Sequence, residues 1–178
     1  MKQFIIAAAL VAAPASAEVA SATPQGFELV ERATVKAPPA EVYRTLVNIA
    51  SWWDGAHSYS GDAANLSIDA RPGGCWCEKL KDGGGIEHMR IVYAQPGAVL
   101  RAQGGLGPLQ AEGVAGSLTY AIRPVAGGSE VTQTYVVGGY IRQGAEKLAP
   151  LVDAVMGAGF ARLVTRVDGG SLPAAKTR

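Results

Sequence analysis

This chain is short of the features that most directly announce a function. Its 178 residues carry 16 basic and 15 acidic side chains, a formal net charge of +1. So even a balance gives no electrostatic footprint for nucleic acid or an anionic membrane. There is no G-x-S-x-G elbow, no Walker A loop and no H-E-x-x-H pair, so the common serine-hydrolase, P-loop and zincin chemistries have no motif here. The glycines between 104 and 116 precede a strand rather than a helix and indicate no phosphate cradle. No internal repeat and no domain linker divides the chain. No cofactor is expected.

What is present begins at the N-terminus. Lys2, the apolar run Phe4 to Ala13 and the small triplet Ala15-Ser16-Ala17 have the order of a cleavable export signal. The run is shorter than the ~20 residues that span a bilayer. The expectation is a leader over 1–17, a flexible lead-in over 18–26, one domain over 27–168 and a disordered tail over 169–178, with a periplasmic or secreted location. Cleavage removes Lys2 and no acid, leaving 15 charges of each sign in a soluble chain with no further apolar stretch of bilayer length.

Periodicity then sorts the elements. Phe27, Leu29, Ala33 and Val35 alternate as in a strand, and Pro38-Pro39 with Glu41 opens a helix whose apolar face is Val42, Leu46 and Ile49. Trp52-Trp53 follows in a short second turn. Short strands are predicted at 65–69, 75–80, 87–93, 99–102, 117–123 and 131–137, with 104–116 as a Gly-rich loop. From Leu148 to Val167 apolar residues recur every three or four positions, predicting an amphipathic helix over about 146–168 with Pro150 in its first turn and Gly169-Gly170 as its stop. A long helix after sequential strands must bury its stripe on the sheet. The fold class is therefore α+β, an antiparallel curved sheet gripping a C-terminal helix.

Both histidines, both cysteines and all three tryptophans lie between Trp52 and His88. Cys75 and Cys77 share one face of a strand, with Cα atoms about 6.6 Å apart at ~3.3 Å rise per residue. Two free thiols packed as small hydrophobes is the first reading and a strained disulfide, which needs a bulge, the second. The third is a metal site of His57, Cys75, Cys77 and His88 suited to Zn²⁺ or Cu(I), although the spacing matches no standard motif. Glu78 and His88 are candidates for a carboxylate–imidazole pair across the hairpin, against the plainer reading of a surface ion pair. Register decides: a turn centred on Gly83 sets Glu78 opposite His88, and one centred between Gly83 and Gly84 sets it opposite Met89. Gln133 is the polar member of the stripe Val131, Gln133, Tyr135, Val137, and a buried amide needs a partner or a ligand.

Three stretches add a resemblance. Val35-Lys36-Ala37-Pro38-Pro39-Ala40-Glu41-Val42-Tyr43, Pro72-Gly73-Gly74-Cys75-Trp76 and Gly128-Ser129-Glu130-Val131-Thr132-Gln133-Thr134 resemble, in that order, the strand-to-helix entry, the glycine pair before an aromatic strand and the penultimate hairpin of the START-like superfamily. These are the helix-grip or SRPBCC domains, and the similarity is to their polyketide cyclase and Hsp90-ATPase-activator-homologue branch. The tryptophan that often opens that family's closing helix is replaced by Lys147-Leu148-Ala149-Pro150. The resemblance implies a pocket between sheet and helix, with Trp76 and Glu78 facing inward. Pocket residues are expected among Trp52, Trp53, His57, Tyr59, Trp76, Glu78, Tyr120, Gln133, Tyr135, Met156 and Phe160. The expected role is binding or carrying a small apolar or aromatic molecule. The competing readings are a cyclase- or hydrolase-like enzyme with Glu78 or His88 as proton-transfer group, a Cys/His metal protein, and a co-chaperone-like interaction module, which export disfavours. The oligomeric state is not legible.

Overall fold

The computed structural model describes residues 16–172. The segment assigned to an export signal lies outside the described residues except for Ser16 and Ala17, as does the tail from 173 onward. Eight antiparallel strands form one sheet: β1 (Ser16–Thr23), β2 (Gly26–Val35), β3 (Leu66–Ile68), β4 (Cys75–Lys79), β5 (Gly85–Gln95), β6 (Val99–Gln103), β7 (Gly113–Val125) and β8 (Gly128–Tyr140). Their spatial order is β1-β2-β8-β7-β6-β5-β4-β3. Helix α1 (Pro39–Val47) follows β2, and α2 (Ala145–Val167) closes the chain.

Local chemistry explains the elements. Pro38 caps α1 in an extended conformation, Pro39 enters its first turn, Glu41 meets the positive end of the helix dipole, and Val42, Tyr43 and Leu46 are buried. In β2 the inward positions Phe27, Leu29, Glu31, Ala33 and Val35 are all buried, a period of two with one carboxylate inside it. In α2 the buried face is Ala145, Ala149, Val152, Met156, Gly159, Phe160, Leu163 and Val167, a continuous stripe at helical spacing. The helix ends at Val167 with Asp168 as its cap, and Gly169 follows with a φ of +76° that suits glycine.

Four expectations need correction. The segment 18–26 is not a lead-in: β1 pairs with β2 from Ser16↔Arg32 to Thr23↔Gly26. The Gly-rich loop is shorter than expected, because a 3₁₀ turn occupies Gly107–Ala111 and β7 begins at Gly113. Within the span 169–178 expected as a disordered tail, Leu172 packs against the core, and the rest of that expectation, from 173 onward, lies outside the described residues. Helix α2 has the length and composition to cross a bilayer, where no stretch of bilayer length was expected, but its apolar stripe lies on the sheet.

Placement of α2 decides where the site can be. The helix packs mainly on β1 and β2, at one end of the sheet. At the β3–β4–β5 end the short 3₁₀ turn Ile49–Ser51 packs against β3 instead.

Candidate functional site

A cleft of about 390 Å³ opens between the N-terminal half of α2 and the β3–β5 end of the sheet. Leu148, Leu151, Val152, Val155 and Met156 form the helix wall, and Leu66, Trp76 and His88 the sheet wall. Trp53, His57 and Tyr59 close one end and Leu106, Gly107 and Pro108 the rim. The volume falls in the range of small-molecule sites, and the lining is largely apolar and aromatic.

The aromatic wall is built from sequence-local contacts. Trp52 donates its indole N–H to Leu46 O at 3.1 Å, and Trp53 donates to His57 O at 3.1 Å. The ring of Trp53 stands edge-on to Trp52 at 5.6 Å and to Trp76 at 5.1 Å between centroids, the T-shaped geometry aromatic pairs prefer. Gly159 of α2 admits this stack: a Cβ there would lie 2.7 Å from Trp53 Cζ3. The rim is tied down by tyrosines. Tyr135 Oη accepts from Leu106 N–H at 3.1 Å and donates to Gly104 O at 3.0 Å. Tyr59 Oη donates to Gly107 O at 3.1 Å, joining the two sides of the mouth.

The β4–β5 hairpin holds the polar part of the wall. Lys79 pairs with Gly85, so the turn centres on Asp82, which has a φ of +60°. Neither anticipated register applies. Between Trp76↔Met89 and Cys77↔Glu87 the ladder shifts, leaving His88 as an extra residue on β5. A bulge of this kind lets consecutive residues point the same way, and His88 and Met89 are both buried. Glu78 is 2% exposed and His88 7%. His88 Nε2 lies 2.9 Å from Glu78 Oε2. The pair is therefore interior, not the surface ion pair of the plainer reading. Glu78 also accepts from Tyr59 N–H at 3.2 Å and Ser60 N–H at 2.5 Å. Burial alone would push its carboxyl up, but the hydrogen bonds from Ser60, Tyr59 and His88 outweigh it and hold the group below the ordinary carboxylate range.

On the outer face of the same strand, Cys75 and Cys77 are joined as a disulfide with Cα atoms 5.4 Å apart. The free-thiol reading is overturned. The Cα separation is shorter than the ~6.6 Å of a regular strand. The metal set falls with it: the two sulfurs are spent on each other, and no group of three His, Cys, Asp or Glu side chains among the described residues is arranged to hold a metal.

The remaining expected pocket residues divide cleanly. Trp53, His57, Tyr59, Trp76 and Met156 line the cleft, and so does His88, which was expected as a proton-transfer group and not as a pocket residue. Trp52, Tyr120, Gln133, Tyr135 and Phe160 are core residues, each 2% exposed or less, and Glu78 acts from behind His88. Gln133 Nε2 donates to Glu31 Oε2 at 2.6 Å and to Met156 O at 3.4 Å. Glu31, Gln133 and Tyr120 form one row across β2, β8 and β7. In this row Glu31 Oε1, Gln133 Oε1 and Tyr120 Oη have no hydrogen-bond partner among the described residues. Burial and the nearby Asp153 raise the Glu31 carboxyl to about 7, against the lowering effect of the Gln133 hydrogen bond. Sequence reading missed Glu31, although its position between Leu29 and Ala33 on an apolar face was a signal. It also missed Leu66, Leu106 and Pro108, which only the folded rim brings together.

Comparison with known proteins places this architecture. No curated protein matches the chain. Among solved structures, CalU16 from Micromonospora echinospora superposes with a TM-score of 0.59 at 13% identity, covering 89% of this chain and 87% of that one. Protein MLL2253 from Mesorhizobium loti gives 0.58 at 14% identity, covering 82% and 99%. The Aha1 dimer from Colwellia psychrerythraea gives 0.57 at 14% identity, covering 82% and 98%. At these identities the likeness shows the shared helix-grip fold. The family model described as polyketide cyclase / dehydrase and lipid transport matches residues 27–168, and the chain belongs to that family.

Proposed function

We propose that the protein binds a small apolar or aromatic molecule in the cleft between α2 and the β3–β5 end of the sheet. The observation that carries this reading is the cleft itself: about 390 Å³ with Trp53 and Trp76 in its wall and Leu148, Leu151 and Val155 facing them. Membership of a family that spans cyclases, dehydrases and lipid transport supports an apolar ligand. The aromatic rings offer large, flat contact area, and the mostly apolar lining favours a ligand with few polar groups. The test is titration with 8-anilinonaphthalene-1-sulfonate, read by probe fluorescence and tryptophan quenching. Saturable binding that weakens at least tenfold in Trp76→Ala and in Val155→Trp, but not in Val136→Ala on the outer face, supports the reading. Equal binding by all four proteins overturns it.

We also infer export, on the strength of Lys2, the run Phe4 to Ala13 and Ala15-Ser16-Ala17. N-terminal sequencing of protein recovered from its own cell, beginning at Glu18, supports this. An intact Met1 overturns it.

A further inference from the structure

The Glu78–His88 pair has a chemistry that ligand holding does not use. Glu78 is ionised and can only accept hydrogen bonds, so the 2.9 Å contact fixes the proton of His88 on Nε2. In the neutral ring Nδ1 then carries the lone pair. Nδ1 makes no hydrogen bond among the described residues, and His88 lines the cleft. The imidazole stands 6.2 Å from the Trp76 ring and 5.8 Å from the Tyr59 ring, and all three side chains line the cleft. Trp76 adds a buried indole N–H without an acceptor among the described residues, a donor in the same wall.

We propose that His88 is a catalytic base that removes a proton from an aromatic or carbonyl-bearing molecule held in the cleft, with Glu78 as its positioning residue. This rests on the cleft being a ligand site. Proton removal makes His88 an imidazolium, and the adjacent carboxylate stabilises that charge without taking the proton itself, as in hydrolase triads. Glu78 is in turn anchored by the Tyr59 and Ser60 amides, which fixes the acceptor that the ring is bonded to. The bulge at His88 is what brings the base to the concave face. The substrate class is an apolar molecule with an activated C–H or a weakly acidic hydroxyl.

A suitable probe is 5-nitrobenzisoxazole, a flat aromatic with an acidic ring C–H. His88 Nδ1 takes that proton, the C–H electrons form the nitrile, the N–O bond breaks and its electrons leave on oxygen as a phenolate. No oxidant or co-reactant is needed, and solvent later removes the proton from His88. Phenolate absorbance follows turnover, and displacement of 8-anilinonaphthalene-1-sulfonate follows binding. The wild type is expected to exceed an equal concentration of free imidazole by about 10²-fold, the lower end of what a positioned base contributes. His88→Gln should fall to background while still binding the probe. Glu78→Gln should lose at least tenfold in rate and alter the pH–rate profile, which a purely structural role would leave in place. Binding without turnover above His88→Gln overturns the catalytic assignment and leaves the cleft reading standing. No binding of either aromatic by the wild type overturns both.

Discussion

Glu78 and Glu31 both project from the concave face of one sheet, and both are almost completely buried. Their charge states diverge. Glu78 receives two backbone N–H groups and the His88 ring, and its carboxyl is held below the usual range. Glu31 receives one amide from Gln133 while Asp153 adds like charge, and its carboxyl rises to about 7. Burial penalises a buried charge in either place; the number of donors decides whether the penalty is met. The two regions differ in role accordingly. The cleft wall keeps a negative charge behind the imidazole, whereas the row beneath α2 holds a carboxyl raised to about 7, with acceptor atoms unpaired among the described residues.

The comparison can be broken at Glu78 first. Glu78→Ala removes the acceptor for the buried His88 ring and two half-buried amides, and breaking a buried pair costs about 3–5 kcal/mol. Urea unfolding should show that loss, and amide exchange should accelerate at Tyr59 and Ser60 ahead of the rest of the sheet. Unchanged exchange there would mean that the carboxylate is not the anchor. A smaller effect is expected from Cys75→Ser with Cys77→Ser. The closed loop is so short that chain-entropy reasoning gives roughly 1.5 kcal/mol or less, and the Glu78–His88 contact should survive, as judged by the His88 imidazole NMR signals. Their loss would show that the disulfide holds the bulge in place. The last prediction is a slope, not a step. The folded Glu31 carboxyl titrates above its ordinary value of 4.5, near 7, so the folded state binds more protons over that window. Its contribution to stability is fully present below about 4.5 and is lost as pH rises toward 7. Glu78, shifted the other way, contributes stability above its ordinary value of 4.5 that is lost as pH falls through its lower folded value. Glu31→Gln should flatten the decline between pH 4.5 and 7 in urea midpoints and leave the acid limb intact. Persistence of the decline would assign it to another group.

The concave face also shows what local patterns can and cannot convey. The stripe on α2, the Pro38-Pro39 helix start and the hairpins at 82–85 and 127–128 are local signals, and each led to the right element. The inward placement of Trp76 and Glu78 followed from family likeness and period two. His88 did not follow from either. A strict alternation puts His88 and Met89 on opposite faces, and a one-residue bulge overrides it. Phe160 and Tyr135 were expected at the pocket for being aromatic and inward, yet α2 lies directly over the β1–β2 end and seals them into the core. Strand β1 was unreadable because Glu18 to Gln25 is small and polar; it is ordered by pairing with β2, a contact its own composition does not announce.

By itself the order of residues determined the α+β class, the sheet-then-helix succession and the clustering of tryptophan, histidine and cysteine between 52 and 88, because hydrophobic periodicity and turn residues act over a few positions along the chain. Only the tertiary structure decided which end of the sheet α2 covers, and hence where the cleft lies. It also decided that Cys75 and Cys77 pair and that His88 meets Glu78. Those outcomes depend on strand register and on distances across the fold, where a shift of one residue exchanges the inside of the sheet for the outside.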